Sequence, residues 1–276
     1  MTATPPTPVP GAAAAEEVRA ARALVGAGRN VVVLTGAGIS TDSVIPDYRG
    51  PAGVWTRDPA AERRANLADY LADPDVRRGA WQQRLRSGVW SAQPNAGHRA
   101  LLALEQRGTL HTLITQNIDG LHHAAGHDPA RVIEVHGNVR EVVCLSCGDR
   151  GPMTAALERV EAGEEDPPCL VCGGILKSAT ISFGQSLVEA DLARAFAAAA
   201  AADVFLAVGT KLSVYPVAET VPIAARARAA VVILNDQPTD LDALADVVVR
   251  ASIADVLPAI VGVGGDSASA EAGVAE

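Results

Sequence analysis

A doubly wound α/β fold, built on a parallel sheet covered on both faces, is predicted by three features of this 276-residue chain. Six apolar runs recur along it, at 30–35 (NVVVLT), 110–115 (LHTLIT), 131–135 (RVIEV), 204–209 (VFLAVG), 230–235 (AVVILN) and 247–250 (VVVR). Several are continuous Val/Ile/Leu stretches without polar alternation, as expected of parallel strands buried on both faces. Helical stretches near 12–27, 96–107, 188–202 and 215–228 fall between them, and such alternation defines the doubly wound, Rossmann-like class.

Composition supports a buried core, with 49% hydrophobic residues, but only 3% aromatics, so the core is aliphatic. The formal net charge of −9 argues against nucleic acid as a partner, because phosphate neutralisation needs clustered Lys and Arg. A neutral or basic polypeptide suits this charge better. The chain has no apolar run long enough to span a bilayer, so no membrane partner is expected. Its start, MTATPPTPVPG, lacks the basic and apolar regions of a secretory signal, and a cytoplasmic location is expected. The oligomeric state is not legible, and a monomer is the default expectation.

The Pro/Thr-rich residues 1–10 and the small polar residues 263–276 read as disordered tails. Two internal stretches interrupt the strand–helix alternation and are too long for ordinary connections. Residues 55–94 are polar, Arg-rich and helical, and 140–178 hold all four cysteines with little apolar periodicity. They read as two inserted modules that pack together as a smaller lobe. The Rossmann-like body then comprises 11–54, 95–139 and 179–262, and a cleft between the lobes is a natural binding site.

The cysteines form two CxxC pairs, Cys144 with Cys147 and Cys169 with Cys172. In a reducing compartment this pattern predicts one tetrahedral zinc site; two disulfides, or two redox CxxC motifs, are the alternatives. A redox CxxC usually stands alone at a helix start, whereas each pair here is followed by Gly148 or Gly173, which allows a tight knuckle to aim N–H groups at sulfur.

The first strand runs into Gly36-Ala37-Gly38-Ile39-Ser40-Thr41, whose glycines allow a sharp turn and close backbone approach to a pyrophosphate. A dehydrogenase would follow with a second strand ending in an acidic residue that holds the adenine ribose. The chain instead continues as a polar loop, Asp42 to Gly50, which disfavours hydride transfer. The second strand ends in Gln116-Asn117-Ile118-Asp119, placed where open α/β sheets bind ligands, though Asn117 or Asp119 could equally cap a helix. The third ends in His136-Gly137, where an imidazole can serve as general base. His98, His111, His122, His123 and His127 lack that setting and read as surface or packing residues, with His122 possible near the cleft.

Together these motifs resemble the sirtuins, NAD-dependent protein deacylases. The resemblance spans about residues 20–258. It rests on GAGIST–IPDYRG at 36–50, TQNIDGLHHAAG at 115–126, IEVHG at 133–137, the paired CxxC, SFG at 182–184, GTKLSVYP at 209–216 and LND at 234–236. The segment around Trp81, with the DYRG and QPN motifs, is closest to the subgroup with mitochondrial and bacterial members.

The resemblance implies NAD as co-substrate, one structural Zn²⁺ on the cysteine quartet, and an acyl-lysine protein or peptide as partner. Residues 36–41 with Asp47, Tyr48 and Arg49 would wrap the phosphates and nicotinamide ribose. Gln116, Asn117, Ile118 and Asp119 would line the nicotinamide pocket, with Asn117 and Asp119 joining the base His136 as catalytic residues. Gly209, Thr210, Lys211, Asn235, Asp236 and Gln237 would hold the adenosine half. The peptide would lie extended between Ser182-Phe183-Gly184 and Ser213-Val214-Tyr215, adding a strand. The family's chemistry captures the sugar with the acyl oxygen as nicotinamide leaves, and ends in free lysine and O-acyl-ADP-ribose.

Val44 departs from a usual Gly, Gln185 from a usual acidic residue and Lys211 from a usual Ser, and 176–180 lacks the common proline. Sirtuins that read acidic acyl chains carry Tyr-x-x-Arg. Here Tyr48, Tyr70 and Tyr215 are followed at that offset by Pro51, Asp73 and Ala218, which argues against desuccinylation. A mono-ADP-ribosyltransferase and a non-enzymatic zinc and nucleotide-binding scaffold are the rival functions.

Overall fold

The computed structural model describes residues 12–45 and 58–263. Residues 1–10 and 264–276 of the expected tails, and the predicted contacts Asp47, Tyr48 and Arg49, lie outside the described residues. Helix α1 (Ala12–Ala27) leads into β1 (Val31–Thr35), and a 3-10 segment, Ala37–Ser43, follows. Three helices come next: α2 (Pro59–Arg64), α3 (Leu67–Ala72) and α4 (Pro74–Leu85). Asn66 caps α3 by accepting from the Ala68 and Asp69 N–H groups, and Asp73 caps α4, whose first residue is Pro74. Side-chain acceptors and a leading proline are the usual helix starts.

The chain continues through α5 (Ala96–Gln106), β2 (Leu110–Thr115), α6 (Leu121–Ala125) and β3 (Val132–Glu134). It then forms β4 (Gly137–Cys144), β5 (Arg150–Pro152), α7 (Met153–Glu161) and β6 (Leu176–Thr180). The last part is α8 (Glu189–Ala201), β7 (Val204–Val208), α9 (Thr220–Arg226), β8 (Ala230–Leu234), β9 (Val247–Val249) and α10 (Ile253–Ile260).

All six predicted strands pair in one parallel sheet of order β3-β2-β1-β7-β8-β9. The order reverses between β1 and β7, where Thr35 pairs with Val208. Open α/β sheets bind ligands beyond such a switch point. Strand side chains alternate between two cores, as the pleat requires. Val31 and Val33 pack with Leu101, Leu104 and Leu257 from α5 and α10, while Val32 and Leu34 pack with Ala195, Ala199 and Val221 from α8 and α9. The sheet is thus covered on both faces, which is why its strands read as unbroken apolar runs.

The cysteine-bearing stretch holds more regular structure than its sequence suggests. β5, β4 and β6 form an antiparallel sheet in that order, and the sequence boundaries at 139/140 and 178/179 fall inside β4 and β6. Helix α7 buries Met153, Ala156, Leu157 and Val160, a helical spacing that was present in the sequence. These residues share one cluster with Trp81, Val142, Cys144, Cys169 and Leu176, so α4 and the cysteine-bearing sheet share a core.

Val44 is a local misfit. It takes a left-handed conformation, φ 63°, while its side chain is 88% exposed. A β-branched residue pays for that conformation by roughly 1–2 kcal/mol, partly offset in glycine by a more flexible unfolded chain. Val44→Gly is therefore expected to stabilise the fold by about 0.5–1 kcal/mol, which a denaturant titration at constant m would register as a higher midpoint.

Candidate active-site cleft

The cleft opens at the carboxyl ends of β1, β2, β7 and β8 and is walled on the other side by α2, α4 and the 180–187 segment. It encloses about 1160 Å³, above the range of ordinary small-molecule pockets.

Its floor is a junction of three glycines. The Gly36 N–H donates to the Val208 carbonyl (3.0 Å), and the Gly38 N–H to the Gly209 carbonyl (2.9 Å). A side chain on Gly38 would meet Gly209 Cα at 2.8 Å, and one on Gly209, at φ +64°, would meet the Ile39 nitrogen at 2.5 Å. Only glycine allows the two loops to touch, and this brings both backbones to the cleft surface. Gly36, Ala37, Gly38, Ser40 and Thr41 line the cavity, but Ile39 turns into the core, 1% exposed. Its side chain packs with the core of α5 and α10, so only its backbone can face the cleft.

Gln116, Asn117, Ile118 and Asp119 all line the cavity. Buried Asn117 donates from Nδ2 to the Gly36 carbonyl and to Ser40 Oγ, both at 3.1 Å. Ser40 Oγ donates to Asp119 Oδ2 (2.8 Å), and the Leu121 N–H to Asp119 Oδ1 (2.9 Å). Burial pushes the Asp119 carboxyl up, opposed by the Leu121 and Ser40 hydrogen bonds. The capping reading is thus partly met, since Asp119 does bond the first N–H of α6, yet the same side chain is tied to the glycine loop. Gln116 Nε2 donates to Thr210 Oγ1 (3.0 Å) across the junction.

His136 lies just beyond the carboxyl end of β3, in the turn into β4. It therefore sits where the large sheet passes into the small one. Its Nδ1 is 3.0 Å from the Gln116 carbonyl oxygen. A carbonyl can only accept, so Nδ1 carries the proton and Nε2 keeps the lone pair. Burial lowers the imidazole pKa, partly opposed by that hydrogen bond. Gly137, at φ +72°, lets β4 pass β6, since a side chain there would meet the Ala179 oxygen at 2.1 Å.

Gly209, Thr210, Lys211, Asn235, Asp236 and Gln237 line the far end of the cavity, and Ser182, Phe183, Gly184 and Val214 its two lips. Phe183 is bonded on one edge to the helical segment, through Leu67 N–H to Phe183 O (2.9 Å) and Phe183 N–H to Ala65 O (2.8 Å). Gln185 closes a turn on Ser182 through both its backbone N–H (3.0 Å) and Oε1 (3.1 Å). Sequence reasoning missed Arg84, Trp90 and Ser252 in the lining; no strand end or loop motif marks them, and only the packing of α4, the 3-10 turn Gly88–Trp90 after it and the start of α10 brings them in.

The four cysteines stand away from the cavity. Their Sγ atoms all lie within 4.8 Å of one another, with Cys144 to Cys172 at 3.5 Å and Cys147 to Cys169 at 3.8 Å. Tetrahedral Zn–S bonds of about 2.3 Å place sulfurs about 3.8 Å apart, so the quartet fits one zinc. The cysteines are not disulfide-linked. The knuckle glycines, Gly148 and Gly173, both take positive φ and close the tight turns by donating to the Cys144 and Cys169 carbonyls. The N–H groups aimed at sulfur come from Ser146 and Gly174, each at 3.4 Å.

A glycine-floored cleft at a switch point, with a tautomer-fixed histidine and a detached Cys₄ site, defines the class, and comparison with known proteins gives the family. The Sir2 family model matches residues 36–216. The chain is 50% identical over 230 residues to NAD-dependent protein deacetylase 2 of Streptomyces coelicolor, covering 83% of this chain and 95% of that one. It is 44% identical over 236 residues to an NAD-dependent protein deacetylase of Haloarcula marismortui, covering 83% and 88%. A solved structure from work on the mechanism and regulation of Sir2 enzymes superposes with a TM-score of 0.81 at 36% identity, over 90% of this chain and 97% of that one. A Sir2–p53 peptide–NAD⁺ complex gives 0.78 at 30% identity, over 87% and 95%. The chain belongs to the Sir2 (sirtuin) family. Among the described residues, no helix is long and apolar enough to cross a membrane.

Proposed function

We propose that the protein is an NAD-dependent protein-lysine deacylase, acting on acetyl-lysine peptides and releasing nicotinamide, O-acyl-ADP-ribose and free lysine. The observation that carries this reading is the fixed tautomer of His136 on the wall of a dinucleotide-sized cleft: a base held neutral, with its lone pair on Nε2. NAD supplies an electrophilic sugar carbon with nicotinamide as leaving group. The glycine loop at 36–41 lets its backbone come close to the phosphates, and Gly209, Thr210 and Lys211 stand at the adenosine half. Asn117 and Asp119 offer polar groups to the nicotinamide amide from a buried, pre-oriented cluster. His136 Nε2 takes the proton of a ribose hydroxyl. Asn235, Asp236 and Gln237 receive the adenosine half.

The peptide lies between the lips formed by Phe183 and Val214. Ser182 is already engaged by Gln185, so Gly184 is the residue of its lip free to bond an added strand. The Cys₄ site holds a structural zinc, whose four protein ligands keep no position open for chemistry. The division into a Rossmann-like body and two modules accounts for the cleft, with the helical and zinc modules forming its second wall. A cytoplasmic, monomeric enzyme acting on protein and not nucleic acid fits the chain's charge.

The test is incubation of the protein with NAD and a panel of acyl-lysine peptides, with products read by mass spectrometry. Equal amounts of nicotinamide and O-acyl-ADP-ribose are expected. Nicotinamide with ADP-ribose attached to protein, and no deacylated peptide, would establish the transferase instead.

A pH dependence follows from His136. Its pKa is lowered, and the neutral form is the active one, which prevails above that pKa. Turnover at saturating substrate is expected to be level near pH 7–8 and to fall only as pH drops below the ordinary histidine value of about 6.5. A rate that declines on the acid side already from pH 8 would remove His136 from the role of base.

A further inference from the structure

We infer that His122 is a positioning residue for the nicotinamide end of the cleft, acting on Asn117 through the hydroxyls of Thr35 and Thr115. The inference rests on the deacylase reading above and adds a residue that lies outside the cavity. His122 Nε2 is 3.0 Å from Thr35 Oγ1, Thr35 Oγ1 donates to Thr115 Oγ1 (2.8 Å), and the Asn117 N–H donates to Thr115 Oγ1 (3.1 Å). The relay runs beneath the glycine junction, from the start of α6 across the ends of β1 and β2 to the cleft wall. Every member is buried: Thr35 at 0%, Thr115 at 2%, His122 at 2% and Asn117 at 6% exposure.

The direction of the relay is fixed by counting protons. Thr35 has one hydroxyl proton, given to Thr115, so His122 must donate from Nε2 to Thr35 and is protonated there. Its ring cannot swing away, because His98 and His127 pack on it with centroids 4.9 and 5.5 Å distant. Those two rings are themselves tied down: the Asn95 N–H donates to His98 Nδ1 (3.4 Å), and His127 Nδ1 pairs with Glu105 (2.5 Å). Burial, with the neighbouring imidazoles, holds the His122 pKa well below its ordinary value, so the ring stays neutral. The three imidazoles are not a second metal site. Among the described residues, the cysteine quartet is the one cluster of side chains placed to share a metal ion.

Buried polar chains are costly unless every member is bonded, and when bonded they orient what stands at their end. Here the end is the backbone of Asn117, whose side chain contacts both Gly36 and Ser40. Without the His122 donor, Thr35 is free to rotate, Thr115 loses one of its donors, and the Asn117 peptide is held only from the loop side.

The test measures KM for NAD, kcat, peptide KM and nicotinamide inhibition for His122→Leu, His122→Gln, Thr35→Val and the His122→Leu/Thr35→Val double variant. Leu104→Ala, a core change behind the sheet, controls for lost stability. Expected for His122→Leu is a fall in kcat/KM for NAD of about tenfold, with nicotinamide inhibition weakened by a similar factor and peptide KM within about twofold of the wild type. His122→Gln, which restores a donor at Nε2, recovers most of the loss. The double variant is no worse than the worse single one, as expected of two links in one chain. The inference is overturned if His122→Leu lowers Tm like Leu104→Ala but leaves the NAD and nicotinamide constants unchanged, or if the two single losses add. Should His122→Leu fail to fold, the same reading is taken from Thr35→Val and His122→Gln. If the wild type itself releases no nicotinamide, the deacylase reading falls separately. NAD binding by calorimetry then decides, with weaker binding by His122→Leu supporting the relay and equal binding overturning it.

Discussion

His136→Ala is expected to lower deacylation by a factor of about 10²–10⁴, the span over which a positioned general base contributes to a rate. The loss should fall on turnover and not on binding. The His136 ring is tied to the fold from Nδ1 to the Gln116 carbonyl, its backbone carbonyl accepts from the Ile181 N–H whatever the side chain, and the glycine junction and the Asn117–Ser40–Asp119 cluster do not depend on the ring. NAD and peptide affinities should therefore stay within a few-fold of the wild type, and nicotinamide release should be less impaired than peptide deacylation. A His136→Asn variant, which keeps a donor near Nδ1 but has no basic nitrogen, should be as inactive as His136→Ala. Steady-state kinetics on an acetyl-lysine peptide, beside nicotinamide release measured separately, reads both quantities. If both fall together with affinity, the imidazole is a binding group, and the assignment of the base is wrong.

The second large effect is on the zinc site. Removing the ion, or replacing Cys144 or Cys169, is expected to unfold the small lobe. Cys144 and Cys169 are buried and belong to the hydrophobic cluster that includes Trp81, Met153 and Leu176, so the ligands are also core residues. Structural zinc contributes on the order of 10 kcal/mol or more in small metal-dependent folds, against about 5–15 kcal/mol of net stability for a whole domain. A lobe held by a three-stranded sheet and a few short helices has no comparable reserve. A strong chelator should release one zinc per chain, change the near-UV signal of Trp81 and Trp90, and abolish deacylation, because the lobe walls the cleft. The parallel sheet, with its two aliphatic cores, should survive, and far-UV circular dichroism would show it. Retention of activity after complete zinc loss would separate the cysteines from the fold.

The large sheet was legible because each strand is an unbroken apolar run, which only two-sided burial explains. The glycine junction was half legible. The GAG turn and Gly209 stand out as glycines after strands, but that they touch each other is a consequence of parallel pairing between β1 and β7. The antiparallel lobe was not legible as strands. β5 is short and largely exposed, and β4 mixes buried and exposed positions irregularly, so neither shows clean alternation. Helix α7 could have been read from Met153, Ala156, Leu157 and Val160. The Ser40 links to Asn117 and Asp119 join segments 77 and 79 residues apart, and no local pattern encodes such a meeting. His122, read as a surface or packing residue with a possible place near the cleft, shows the same limit: its partners Thr35 and Thr115 are ordinary strand residues until the sheet pairs them. Val44 is the converse, a departure visible in sequence whose cost only the backbone angle explains.

The most direct measurement is a crystal structure of the full chain with NAD and an acetyl-lysine peptide bound to a slow variant such as His136→Asn, alongside the wild type with a non-reacting NAD analogue. The account predicts the dinucleotide along the Gly36–Gly209 junction, and in the wild type the His136 Nε2 at about 2.6–3.2 Å from a nicotinamide-ribose hydroxyl. A dinucleotide bound elsewhere, or with its nicotinamide ribose out of reach of that nitrogen, would contradict it.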